Sequence, residues 1–144
     1  MLLTGTFKRS IDDKLRLAIP KRFRDSFSTP KTEGDETAIV LYIAPGTDGS
    51  LSLFTEESFT QLADQLGQQP STAKDVRAFS RLFFSRAEGV EVDKQGRIRL
   101  PAELAKLAAL SKEAMLIGVR DRMEIWSVER WENYTKATEE DYDQ

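Results

Sequence analysis

The sequence predicts an α+β protein built as two tandem, pseudo-symmetric halves that share one core. Two observations carry that prediction. The first is a phrase that occurs twice: Asp12-Asp13-Lys14-Leu15-Arg16-Leu17-Ala18-Ile19-Pro20 is answered by Asp93-Lys94-Gln95-Gly96-Arg97-Ile98-Arg99-Leu100-Pro101. Both copies read Asp-x-x-x-Arg, apolar, any, apolar, Pro, and an internal repeat fixes the architecture before any single element does. The second is size. With 144 residues, 40% of them hydrophobic, the chain holds enough apolar material for one core. Each half alone is near the lower limit for independent folding.

Taken in order, residues 5–11 read as a strand with Phe7 and Ile11 on one side and Lys8 and Ser10 on the other. Asp12 to Lys14 is a polar turn, because an Asp carboxylate bonds backbone amides just ahead of it. Arg16 to Ile19 resumes as a strand, which makes a hairpin-like unit with a basic tip. Pro20 suits the first helical position, and Lys21 to Phe27 is a short helix packing Phe23 and Phe27 inward. Residues 28–36 are loop. Thr37 to Ala44 is a buried strand, Pro45 to Gly49 a turn, and Ser50 to Phe54 the returning strand.

Thr55 caps the next helix, with Glu56 and Glu57 in the first turn, where the helix dipole favours anions. Phe59, Leu62, Ala63 and Leu66 recur at helical spacing. A bridging helix follows, capped by Ser71 or Thr72 and running to about Ala87, with Val76, Phe79, Leu82 and Phe83 as a core-facing stripe. The second half then repeats the first. Gly89 to Val92 is a strand and Asp93 to Gly96 a turn in which Gly96 supplies positive φ. Arg97 to Leu100 is a strand, and Pro101 opens the helix Ala102 to Ala109. Ala114 to Val119 and Met123 to Trp126 are strands, and Ser127 caps a last helix with Trp131 inward. Glu139 to Gln144 is an acidic tail expected to fray. The chain thus divides into a first repeat over 1–67, a bridging helix over 68–87, a second repeat over 88–135 and a tail over 136–144.

Composition narrows the chemistry. There is no cysteine and no histidine, which excludes disulfides, thiol catalysis, Cys/His zinc sites and His-based triads. No apolar run is long enough to span a bilayer, and no signal peptide is visible. A cytoplasmic protein without cofactor, metal or small-molecule substrate is expected. No Gly-rich phosphate loop and no nucleophile elbow occurs, so an enzyme is not expected.

Net charge is −3, but the charge is unevenly placed. Residues 1–27 hold seven Lys/Arg against three Asp, and residues 74–99 hold seven against four acidic residues. These two basic zones contain the two copies of the phrase. A basic patch is the electrostatic footprint of nucleic-acid binding, although a basic zone is also an ordinary solvated surface.

The two phrases, with Met115-Leu116-Ile117-Gly118 and Met123-Glu124-Ile125-Trp126, resemble the MraZ family of transcriptional regulators, within the AbrB-type swapped-hairpin proteins. The resemblance runs from Gly5 to about Trp131. It implies two AbrB-like hairpin units interleaved into one small β-barrel with flanking helices. It also implies a homo-oligomeric head-to-tail ring, located with the nucleoid, that binds double-stranded DNA. The bound DNA would be short direct repeats upstream of the bacterial division and cell-wall gene cluster, with repression as the usual result. One position departs from the pattern: Leu15 stands where the first turn should carry Gly, while the second turn keeps Gly96. Leu15 therefore either sits in a turn of different shape or in an ordinary strand conformation.

Arg16 is the candidate base reader, since arginine binds guanine O6 and N7 bidentately and a two-stranded ribbon fits the major groove. Lys14, Lys8, Arg9 and Lys21 are candidate phosphate contacts. Arg97, Lys94 and Arg99 are their second-copy counterparts, and Asp12 and Asp93 orient the turns. Two alternatives stay open. The Asp–Arg pairs could simply brace a duplicated fold, or the protein could be a ring-forming scaffold that never touches nucleic acid.

Overall fold

The computed structural model describes residues 2–27, 39–70 and 72–142. The expected loop over 28–36, the start of the following strand at 37–38, the cap at Ser71 and the inward packing of Phe27 lie outside the described residues. Among the described residues, thirteen elements follow in order. They are β1 Thr6–Ser10, β2 Arg16–Ala18, α1 Lys21–Phe27, β3 Val40–Pro45, β4 Leu51–Thr55, α2 Glu56–Gly67 and α3 Lys74–Arg86. The rest are β5 Glu88–Glu91, β6 Arg97–Arg99, α4 Ala102–Leu107, β7 Glu113–Val119, β8 Arg122–Ser127 and α5 Val128–Tyr142. The architecture is α+β.

The strands form a six-stranded sheet in the order β1-β7-β8-β4-β3-β5 and a separate two-stranded ribbon, β2-β6. All pairings are antiparallel. Exchanging β1 with β5, β2 with β6, β3 with β7 and β4 with β8 maps each sheet onto itself. This corrects the hairpin-like reading of residues 5–19. β1 does not pair with β2 along its length; one isolated bridge joins Ile11 to Leu17, and β1 instead runs against β7. Likewise β5 pairs with β3 of the first half. Each half lends its leading strand to the other. Alternation of apolar side chains decides which face of a strand is buried but not which strand lies beside it.

Burial follows this layout. Leu17, Ile19, Phe23, Leu41, Ile43, Leu51 and Leu53 from the first half join Ile98, Leu100, Leu104, Leu116, Met123 and Ile125 from the second in one cluster. The central strands β4 and β8 are buried on both faces. Leu51 and Leu53 point into the shared core while Phe54 packs under α2 and α3, meeting Phe59 and Phe83. On β8, Trp126 points the other way and meets Trp131 and Tyr134 of α5.

The helix signals fare unevenly. Thr55 caps α2 by accepting from the Ser58 amide, and Ser127 does the same for α5 through the Arg130 amide. The bridging helix starts later than expected. Its N-cap is Ala73, with no side-chain bond, so Thr72 does not cap it. Its stripe is also only partly used: Phe83 is buried, but Phe79 and Leu82 are 45% and 55% exposed. α5 runs through Tyr142, so Glu139 to Tyr142 of the expected tail continue a helix, and residues 143–144 lie outside the described residues. Among the described residues, no helix is long and apolar enough to cross a membrane.

Candidate nucleic-acid interface

The ribbon carries the candidate site. Its register sets Arg16 opposite Arg99, Leu17 opposite Ile98 and Ala18 opposite Arg97. Leu17 and Ile98 are fully buried. Burying such a side chain is worth about 1.5–3 kcal/mol, so these two residues pin the ribbon's inner face to the core. Period two then turns Arg16, Arg97 and Arg99 to the outer face. Three guanidinium groups share that face with one small residue, Ala18. Because the strands are antiparallel, the two Asp turns lie at opposite ends of the ribbon.

The turns are built alike. In the first, Asp12 Oδ1 accepts from the amides of Lys14 (3.0 Å) and Arg16 (2.8 Å), and the Leu15 amide donates to the Asp12 carbonyl. In the second, Asp93 Oδ1 accepts from Gln95 and Arg97, both at 2.9 Å, and the Gly96 amide donates to the Asp93 carbonyl. The Arg16 and Arg97 amides are the main reason both carboxyls lie below their ordinary value. Desolvation opposes this as the next largest effect, and the side-chain bonds from the same arginines add to the lowering. Neither expectation for Leu15 holds: the first turn keeps the shape of the second, and Leu15 takes the left-handed backbone itself, at φ 61° beside 80° for Gly96. Its side chain is half-buried and packs on the shared core.

The same two carboxylates grip the arginines. Arg16 Nε donates to Asp12 Oδ2 at 2.6 Å, and Arg97 Nε to Asp93 Oδ2 at 3.1 Å. The side chains involved are about a third exposed, so little stability is credited to either pair. Geometry matters more. Each carboxylate holds the Nε edge of its arginine and leaves the terminal Nη groups without a partner among the described residues. Two Nη groups presented together are able to make a bidentate contact with guanine or phosphate. Bracing and reading are therefore compatible uses of one Asp–Arg pair.

The other candidates scatter. Lys14 and Lys94 are exposed within the two turns, and Lys21 is exposed at the start of α1. Arg99 is exposed, and its Nε donates to the Lys14 carbonyl at 3.1 Å. Lys8 and Arg9 lie on β1 in the other sheet, on opposite faces of that strand. Lys8 is exposed, while Arg9 bonds the Lys8 carbonyl and sits 5.4 Å from the centre of the Phe7 ring. The ribbon thus gathers Lys14, Arg16, Lys94, Arg97 and Arg99, and leaves Lys8 and Arg9 apart.

The second short helix has no arginine matching Arg24, to which the sequence alone assigns no role. Arg24 Nε donates to the Ile19 carbonyl, and its guanidinium lies against Gly96, where an added Cβ would collide with it. The signal was present in the repeat. Counting from Pro20 and Pro101, Arg24 corresponds to Ala105, just as Leu15 corresponds to Gly96. The glycine turn goes with an arginine on the helix that lies against it, and the leucine turn goes with an alanine at the equivalent helix position.

Known proteins agree with this frame. The family described as "MraZ protein, putative antitoxin-like" matches residues 2–82 and again residues 83–144. The transcriptional regulator MraZ of Ligilactobacillus salivarius is 39% identical over 142 residues, covering 99% of this chain and 92% of that protein. That of Moorella thermoacetica gives the same identity and coverage. The one from Desulforamulus reducens is 38% identical over 143 residues, covering 99% and 94%. Two tandem matches, together with relatives aligned over almost their whole length, place the chain in the MraZ family.

Proposed function

We propose that this protein regulates transcription by binding double-stranded DNA through the outer face of the β2–β6 ribbon. One observation supports this above the rest: Arg16 and Arg97 are held by their Nε edges, which leaves their Nη groups without a partner among the described residues. A two-stranded ribbon fits the major groove, where arginine recognises guanine. Arg16 is the base reader in this reading. Lys14, Lys94 and Arg97 neutralise phosphates from the ribbon and its turns, and Lys8, Arg9 and Lys21 extend the contact at its margins, while Arg99 shares the outer face with its Nε on the Lys14 carbonyl. Asp12 and Asp93 orient the two turns. The relatives' name, transcriptional regulator, supports the same role.

The finer reading follows the family. The two sheets act as one small barrel, with the ribbon closing it over the shared core. Copies join head-to-tail into a ring at the nucleoid. The ring engages short direct repeats upstream of the division and cell-wall gene cluster and represses it.

Gel shift on the DNA directly upstream of the protein's own reading frame tests this. Arg16→Ala leaves the oligomer intact by size exclusion. Each lost bidentate contact costs about 1–3 kcal/mol, or about 5- to 150-fold, and repeated around a ring that abolishes the shift. Unchanged affinity would refute the role of Arg16. A steep fall in affinity with salt is expected as well.

A second reading, an interaction module without DNA binding, draws on the exposed Phe79 and Leu82 of α3. Wild-type protein that ignores both upstream and shuffled duplex at low salt would favour it.

A further inference from the structure

The two halves of the ribbon's outer face differ at one position. Arg99 has Ala18 as its counterpart in the repeat. Arg99 reaches back to the first turn, where its Nε donates to the Lys14 carbonyl at 3.1 Å. The adjoining Leu100 amide donates to the Leu15 carbonyl at 2.8 Å. The second half therefore holds two consecutive carbonyls of the first turn. At the opposite end, the Ile19 amide makes the matching bond to the Gly96 carbonyl at 2.9 Å. Ala18 has no side-chain donor to offer Gln95. Among the described residues, the partner strand of the ribbon holds the first turn by two bonds and the second by one.

The doubly held turn is also the strained one. Leu15 sits at φ 61°, where an L-residue is disfavoured and persists only if its surroundings over-determine it. The φ of Leu15 is rotation about the bond that joins it to the Lys14–Leu15 peptide. The Lys14 carbonyl belongs to that peptide. A bond to this carbonyl is thus a direct restraint on the strained angle, and rotation there would re-aim Arg16, the next residue. Gly96 adopts its own positive φ without strain, and the second turn needs no such restraint.

We propose that Arg99 is a positioning residue. By fixing the Lys14–Leu15 peptide it holds Arg16 in its reading pose, which makes the first turn the sequence reader and leaves the second to phosphate contact. This rests on the DNA-binding reading above. The competing role for Arg99 is a plain phosphate contact, which its exposure and charge would also permit.

Amide hydrogen exchange on the free protein separates the two roles without any DNA. Arg99→Ala speeds exchange at Lys14, Leu15 and Arg16 by about 2- to 10-fold, the loss of one hydrogen bond. It leaves Gln95, Gly96 and Arg97 unchanged. The DNA arm compares a labelled duplex from directly upstream of the reading frame with a shuffled duplex. Arg99→Lys keeps the charge and the salt dependence but lacks the Nε donor, and its preference for the upstream duplex falls about tenfold. A phosphate contact behaves otherwise. Arg99→Ala would then weaken both duplexes equally and flatten the salt slope by about 0.9, Arg99→Lys would restore both, and exchange would not change. Any of these overturns the proposal, as does faster exchange in both turns alike. Wild-type protein that binds neither duplex removes the DNA reading instead, and the exchange arm still decides whether Arg99 positions the turn.

Discussion

Gly96→Ala tests the pairing of a turn residue with the helix that faces it. At φ 80° an alanine bears the left-handed penalty of about 1–2 kcal/mol. Its Cβ also enters the space of the Arg24 guanidinium, so Arg24 must lift away and give up its 3.0 Å bond to the Ile19 carbonyl. That bond is worth about 0.5–1.5 kcal/mol net. The substitution should destabilise the protein by about 2–3 kcal/mol, which lowers the melting temperature by about 5–10 °C for a chain of this size. Arg24→Ala alone should cost about 1 kcal/mol. Combined, the two should cost no more than Gly96→Ala by itself, because the same bond is lost only once. Urea unfolding followed by tryptophan fluorescence gives all three values. Additivity within about 0.5 kcal/mol, or a neutral Gly96→Ala, would refute the steric account of why this turn keeps glycine.

Three further outcomes are expected. Asp12 and Asp93 have lowered folded-state pKa values, so their contribution is fully present above the unfolded value of about 3.9 and is lost as pH falls through the folded value. Urea midpoints of wild type and Asp93→Asn should differ at neutral pH and converge under acid; a constant gap would contradict the assignment. Thr55→Ala and Ser127→Ala each remove a helix cap and should cost about 1 kcal/mol. They sit on different helices, so their thermal shifts should add. Leu82→Ser touches an exposed side chain and should change stability by less than about 0.5 kcal/mol, while Phe79→Ser also gives up stacking on Phe83 and should cost about 0.5–1.5 kcal/mol. If α3 joins copies, sedimentation should shift to a smaller species, and an unaltered profile would exclude that face from assembly.

What could be read from the residues was local. The order of elements, the two Asp turns and the caps at Thr55 and Ser127 depend on neighbours within a few positions, where propensity and hydrogen-bonding rules act directly. The partner of β1 was not legible. Nothing in Thr6–Ser10 names Glu113–Val119 as its neighbour, and a strand followed by a turn and another strand reads naturally as a hairpin. The bridging helix misled for a related reason. A helical stripe shows that one face is apolar, not that the same chain covers it fully, and Phe79 and Leu82 are left about half exposed. Of the basic candidates, those within the repeated phrase came together on the ribbon. Lys8 and Arg9 did not, because their side of the sheet depends on the β1–β7 pairing. Arg24 was hidden by distance, since its neighbour Gly96 lies far along the chain.

The exchange of leading strands has a consequence for how the chain comes into being. As synthesis proceeds, β1 waits for β7, and β3 waits for β5, before either edge is paired. The first half leaves the ribosome as an incomplete object, its strand edges open to any suitable neighbour. The same logic turns the molecule into a split reporter. A chain cut between α2 and α3 should yield two fragments that are each unfolded alone and that regain the native circular dichroism spectrum only when mixed. Such fragments would behave as the two subunits of an ancestral homodimer, rejoined after the linker that made them one gene product is removed.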